Sequence, residues 1–126
     1  MQARVVDASV LAAFAFQEPQ AQEAGALLKG IRIFAPTLLP YELASIARKK
    51  SALYPDKRSI IMDALDICLE MDMTLSEPEY RDLSALSLET GLTVYDSAYL
   101  WLARSLGIEL VTFDRRLSAI STKRSH

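Results

Sequence analysis

Short β-branched runs alternate with helical patterns along this chain, and that alternation limits the fold more than any other feature. A run at 4–7 holds Val5 and Val6 and stops at Asp7; further runs at 31–35, 71–75 and 108–113 follow, the last stopping at Asp114. Between them lie helical patterns at 10–16, 19–29, 36–50, 55–70, 79–90 and 96–107, several opening at a proline or closing at a glycine. Strands separated by helices return in the same direction, so the pattern predicts an α/β protein with a parallel sheet covered on both faces. Ligands of such sheets bind outside the carboxyl ends of the strands, at a switch point. Asp7 and Asp114 both fall there if their strands are neighbours.

The chain has 126 residues, the common size of one domain and enough to bury a core without disulfides or metal staples. We therefore expect a single domain over 1–126, with a polar, frayed tail at 121–126. A formal net charge of -2 carries no polybasic signature, so global charge does not reveal a nucleic-acid partner. The single cysteine, Cys68, lies between Ile67 and Leu69 on a helical pattern and reads as a small core residue. Without a disulfide framework the compartment is expected to be reducing. No apolar run is long enough to span a bilayer, and the run at 10–16 is too short, and preceded by Asp7, for a secretory signal. The expected setting is cytoplasmic, without membrane attachment.

Two further acids sit where acids need a reason. In the stretch at 93–103, a helix starting at Asp96 would carry Tyr99, Leu100 and Ala103 on its buried stripe, so the carboxylate heads that stripe rather than the wet face. Alone, Asp96 reads as an N-cap. Glu42 shares a helical face with Leu38, Leu39 and Ile46 and has no capping role to explain it. Gathering Asp7, Glu42, Asp96 and Asp114 away from water is costly, because like charges and desolvation both disfavour the ionised form. A bound cation removes that cost, and hard oxygen ligands favour Mg²⁺ or Mn²⁺ over zinc. The only histidine is His126, which excludes an ordinary Ser-His-Asp or Cys-His nucleophile and leaves metal-assisted hydrolysis as the reaction class.

Ser9, two residues after Asp7, and Thr112, two before Asp114, fit as supporting hydroxyls, with turn or cap hydrogen bonding as the alternative. Arg48, Lys49 and Lys50, with Lys57 and Arg58, make the densest basic cluster, and Arg115 and Arg116 directly follow Asp114. Such runs are either solvated helix ends or phosphate guides. Tyr41, Tyr95, Tyr99 and Trp101 lie beside apolar stripes, which favours core or interface packing over base stacking.

Four segments together carry a likeness: Val-Val-Asp-Ala-Ser-Val-Leu at 5–11, Tyr-Glu-Leu-Ala at 41–44, Val-Tyr-Asp-Ser-Ala-Tyr-Leu at 94–100 and Leu-Val-Thr-Phe-Asp-Arg-Arg-Leu at 110–117. In this order and spacing the chain resembles a PIN-domain protein of the small VapC-type toxin ribonucleases of toxin-antitoxin pairs. The resemblance implies a three-layer α/β/α sandwich around a parallel sheet of four or five short strands. It implies an acidic metal site of Asp7, Glu42, Asp96 and Asp114, with Ser9 and Thr112 beside it, and Mg²⁺- or Mn²⁺-dependent endoribonuclease activity. A homodimer and a cognate antitoxin blocking the site are implied as well. The alternatives are a catalytically silent PIN fold acting through a partner, or a receiver-like binding module. The latter generally carries paired acids after the first strand and a lysine near the last, whereas this chain has Asp7-Ala8-Ser9 and no lysine between Lys57 and Lys123.

Overall fold

A computed structural model describes residues 1–123. The strands are β1 (Gln2–Val6), β2 (Ile31–Pro36), β3 (Met73–Ser76) and β4 (Glu109–Val111), all parallel, in the order β3-β2-β1-β4. The helices are α1 (Ala8–Ala15), α2 (Ala21–Leu28), α3 (Leu39–Leu53), α4 (Arg58–Leu69), α5 (Tyr80–Thr90), α6 (Val94–Leu106) and α7 (Arg115–Lys123).

The chain steps outward from β1 to β2 to β3, then crosses back to lay β4 on the other side of β1. Right-handed crossovers put the connections of the outward steps on one face and the returning connection on the other. The packing agrees: α1 contacts α2, α3 and α4, whereas α5 packs on α6 and α6 on α7. This is the three-layer α/β/α sandwich. The core runs through the sheet, with Val5, Val6, Leu11, Leu39, Leu43 and Leu100 wholly buried. Cys68 is also buried and free, as its neighbours predicted, and burial pushes its thiol above the usual range. No helix among the described residues is long and apolar enough to cross a membrane.

Several boundaries differ from the sequence reading. Pro36 ends β2 instead of opening a helix, and Pro40 occupies the first turn of α3. The helix expected at 55–70 is a 3₁₀ turn at Pro55–Lys57 followed by α4, and Ile60, expected on its buried stripe, is 71% exposed. Only Ile61 and Cys68 of α4 are fully buried, so this helix presents a narrower face than its composition suggests. The run at 108–113 gives a strand of three residues, which leaves Thr112 just past its end. Helix α7 had no counterpart in the sequence reading. Its anchor is Leu117, fully buried, and Asp114 caps its first turn by accepting from the Leu117 N–H at 2.8 Å. Residues 121–123 of the expected frayed tail are the last turn of α7; the remainder of that tail lies outside the described residues.

Candidate active site

The reversal of strand order places the crevice between β1 and β4, and Asp7 stands at its centre. Strand β1 pairs Val6 with Val111, and the Asp7 N–H extends that ladder by donating to the Val111 carbonyl at 3.2 Å. One residue past its strand, Asp7 is also the N-cap of α1, because its extended backbone aims the carboxylate back at the first turn. Oδ1 accepts from the Ser9 N–H at 3.1 Å, the Ser9 hydroxyl at 2.6 Å and the Val10 N–H at 3.4 Å. Oδ2 accepts from the Thr112 hydroxyl at 2.5 Å.

The two hydroxyls act alike. Ser9 Oγ accepts from the Phe113 N–H at 3.0 Å, and Thr112 Oγ1 accepts from the Asp114 N–H at 2.9 Å. With a backbone N–H on each oxygen, each hydroxyl proton is directed at Asp7. The cap of α1 and the turn after β4 are thereby tied together through one carboxylate, whose Oδ2 keeps a lone pair uncommitted. Asp7 is 6% exposed. Burial pushes its carboxyl above the usual range, and the donated hydrogen bonds recover only part of that.

Glu42 arrives from the opposite direction, one turn into α3, and accepts from the Tyr99 hydroxyl on α6 at 2.5 Å. This bond joins the two helical layers across the sheet's carboxyl edge. Burial raises the Glu42 carboxyl, the Tyr99 bond opposes the rise, and the charges of Asp7 and Asp96 add to it. Tyr99 itself, 1% exposed, has its phenol pushed up by burial and by the adjacent Glu42 carboxylate. Sequence reasoning placed Tyr99 in the core but missed this role; the available signal was a phenol on a buried stripe, which needs a partner for its hydroxyl.

Asp96 is not the N-cap of α6. Thr93 is, with its side chain accepting from the Asp96 N–H at 3.0 Å, so Asp96 sits in the first turn as the second member of a Thr-x-x-Asp capping pair. That motif is visible at 93–96 and went unread. Burial raises the Asp96 carboxyl first and the Asp114 charge second, while Thr93 and the Arg116 guanidinium lower it. Asp114 is exposed and holds the start of α7. The Ser97 hydroxyl, next in the chain after Asp96, is fully buried without a hydrogen-bond partner among the described residues.

The basic residues divide. Arg116 reaches the site, with its guanidinium lying where a side chain on Gly91 would begin, 2.7 Å away, and close enough to Asp96 to favour its ionised form. Gly91 has a φ of +76°, which disfavours a β-carbon there, whereas the Arg116 side chain could move aside. Arg115 is exposed. Arg48, Lys49 and Lys50 lie six to eight residues beyond Glu42 on α3, about 9–12 Å down the helix at its rise per residue. The Lys50 ammonium is engaged there with Glu18 at 2.7 Å.

The donor set is wholly oxygen, and neither ion pair among the described residues involves any of the four acids. That chemistry suits a hard divalent cation. Among the described residues no group of three or more acids, histidines or cysteines is arranged to hold an ion directly. The residues fit a cation that keeps most of its waters, not a closed carboxylate cage.

Fold and site together define a parallel α/β/α protein with Asp7 buried at the carboxyl edge of the sheet, beside the β1/β4 switch point, and Glu42 near enough to feel its charge. The sequence matches the PIN domain family over residues 4–123. It is 34% identical over 122 residues to Ribonuclease VapC3 of Pyrobaculum aerophilum, covering 90% of this chain and 91% of that protein. A shorter segment of 45 residues is 42% identical to Exonuclease VapC9 of the same organism, covering 36% and 34% of the two chains. The crystal structure of PAE2754 from Pyrobaculum aerophilum superposes with a TM-score of 0.75 at 27% identity, covering 94% of this chain and 84% of that one. This chain belongs to the PIN domain family, which sets the receiver-like alternative aside.

Proposed function

We propose that the protein is a divalent-metal-dependent endoribonuclease, the toxin of a toxin-antitoxin pair, with Asp7, Glu42, Asp96 and Asp114 as its acidic site. The observation that carries the reading is Asp7, buried at the switch point, with four donors fixing its carboxylate and one Oδ2 lone pair left over. Its family membership and the likeness to Ribonuclease VapC3 support the substrate class.

Asp7, Glu42, Asp96 and Asp114 would hold Mg²⁺ or Mn²⁺, directly or through its waters. When bound, such an ion activates water and stabilises charge developing on the phosphate. The chain's own part is orientation. Ser9 and Thr112 favour the ionised form of the Asp7 carboxylate and hold it in one rotamer, and Tyr99 does the same for Glu42. Arg116, with Arg115, offers the counter-charge that lets a phosphodiester approach four acids, and Arg48 and Lys49 extend that attraction further along α3. Single-stranded or looped RNA is the substrate form, because unstacked nucleotides enter an edge crevice that a duplex does not. A homodimer and an antitoxin that covers the crevice belong to the same reading.

The test incubates the protein with a mixed RNA pool in Mg²⁺, Mn²⁺ or chelator, beside Asp7→Ala, and follows melting temperature against Mg²⁺ in parallel. Cleavage by the wild type alone, stopped by chelator, with a metal-dependent rise in melting temperature, is expected. Equal cleavage by both proteins means a contaminant, and no cleavage with no metal response favours the silent form acting through a partner.

A further inference from the structure

A cavity of about 410 Å³ lies past the ends of β2 and β3, at the carboxyl edge of the sheet. Its lining includes Thr37 and Leu38 after β2, Tyr41 of α3, Glu77 after β3, Tyr80 of α5 and Tyr95 of α6. The three tyrosines are 80%, 68% and 65% exposed, although an aromatic ring is the kind of surface a monomer usually covers. Two of them adjoin the site in the chain itself. Tyr41 precedes Glu42 and Tyr95 precedes Asp96, so each pair of α-carbons is about 3.8 Å apart. A strand whose phosphate sits at the acids therefore has its next nucleotide within reach of the cavity.

The chemistry of the rim narrows the occupant. The Tyr80 hydroxyl donates to the Glu77 carboxylate, which engages the phenol proton and leaves acceptor lone pairs on this pair. Acceptors recognise an exocyclic amino group, as carboxylates do with the amino group of cytosine. Aromatic walls recognise the flat face of a base. The centre of a face between two copies of a chain is instead depleted of charge, and an exposed glutamate in the wall argues against that use.

We propose that this cavity is a base-binding subsite for the nucleotide flanking the cleaved phosphodiester, with Tyr41 and Tyr95 as stacking surfaces and the Glu77–Tyr80 pair selecting a base that bears an amino group. The proposal rests on the ribonuclease reading and adds to it a residue-level source of sequence preference. Glutamine at position 77 both accepts and donates, so Glu77→Gln serves uracil as well as cytosine.

The experiment measures binding of labelled octamers of cytidylate and uridylate by fluorescence anisotropy, in Mg²⁺, to the full chain carrying Asp7→Asn, which retains the capping oxygen but not the charge. Wild-type cleavage and size-exclusion elution are recorded alongside. The expected result is tighter binding of the cytidylate octamer, loss of roughly tenfold for Tyr41→Ala and for Tyr95→Ala, and loss of the base preference in Glu77→Gln with unchanged elution. Base-selective binding that follows these variants, without wild-type cleavage, sustains the subsite and overturns the ribonuclease reading. Cleavage by the wild type, with tyrosine variants that bind both octamers as before, overturns the subsite alone. Failure of any octamer to bind overturns it too, and a dimer that Tyr41→Ala or Tyr95→Ala converts to monomer reassigns the face to contact between copies.

Discussion

Thr112→Val removes one oxygen, keeps the shape of the side chain and leaves Asp7 with nothing on Oδ2. The lost bond is a 2.5 Å contact between a hydroxyl and a carboxylate that is 6% exposed, so solvent does not replace it freely. A hydrogen bond to a charged group contributes about 1.5–3 kcal/mol, and we expect a loss in that range at neutral pH in chelator. For a domain of this size about 4 °C of melting temperature accompanies each kcal/mol, giving a fall of roughly 6–12 °C. The second bond through Thr112 adds little, because the exposed Asp114 N–H that it frees can turn to water. Where Asp7 is protonated the contact is between neutral groups, and the loss falls to about 0.5–1.5 kcal/mol. Urea denaturation of wild type, Thr112→Val and Thr112→Ser at neutral and acid pH measures both values, with the serine variant keeping the hydroxyl. A loss at neutral pH below about 0.5 kcal/mol, or one equal at the two pH values, would refute a charge-assisted bond between Thr112 and Asp7.

Four further outcomes follow from the site. Glu42 titrates higher in the folded chain than its ordinary 4.5, so the proton it binds stabilises the fold below that value, and this contribution is lost as pH rises through the folded value. Glu42→Gln should therefore gain stability on wild type as pH rises from 4.5 toward neutrality in chelator, measured by urea midpoints, with Mg²⁺ narrowing the difference; a constant difference contradicts the raised carboxyl. Thr93→Ala should cost about 0.5–2 kcal/mol in thermal melts because it removes the true cap of α6, while Asp96→Asn should melt at or above wild type without metal and lose cleavage. Tyr99→Phe should lower stability by about 1–3 kcal/mol and, by freeing the Glu42 side chain, reduce kcat more than RNA binding; an unchanged kcat leaves Tyr99 a structural residue.

The sequence by itself determined the alternation of strands and helices, and with it a parallel sheet whose carboxyl edge receives Asp7 and Asp114. Those features are local: apolar period, proline and glycine positions, and a strand's last residue are set by neighbours in the chain. Glu42 was legible for the same reason, as an acid on an apolar helical face. Tertiary structure decided the rest. The cap of α6 is the exception, because the Thr-x-x-Asp pair at 93–96 is itself local and starts the helix at Val94. Helix α7 forms around Leu117 and Ile120, three residues apart on one face, but in so short and polar a segment that spacing becomes a helix only through partners distant in sequence. The pairings that orient the site, Thr112 with Asp7 and Tyr99 with Glu42, span 105 and 57 residues. No local pattern encodes such a pairing, because it exists only once the strand order has brought β4 beside β1 and the two helical layers meet at the sheet's edge.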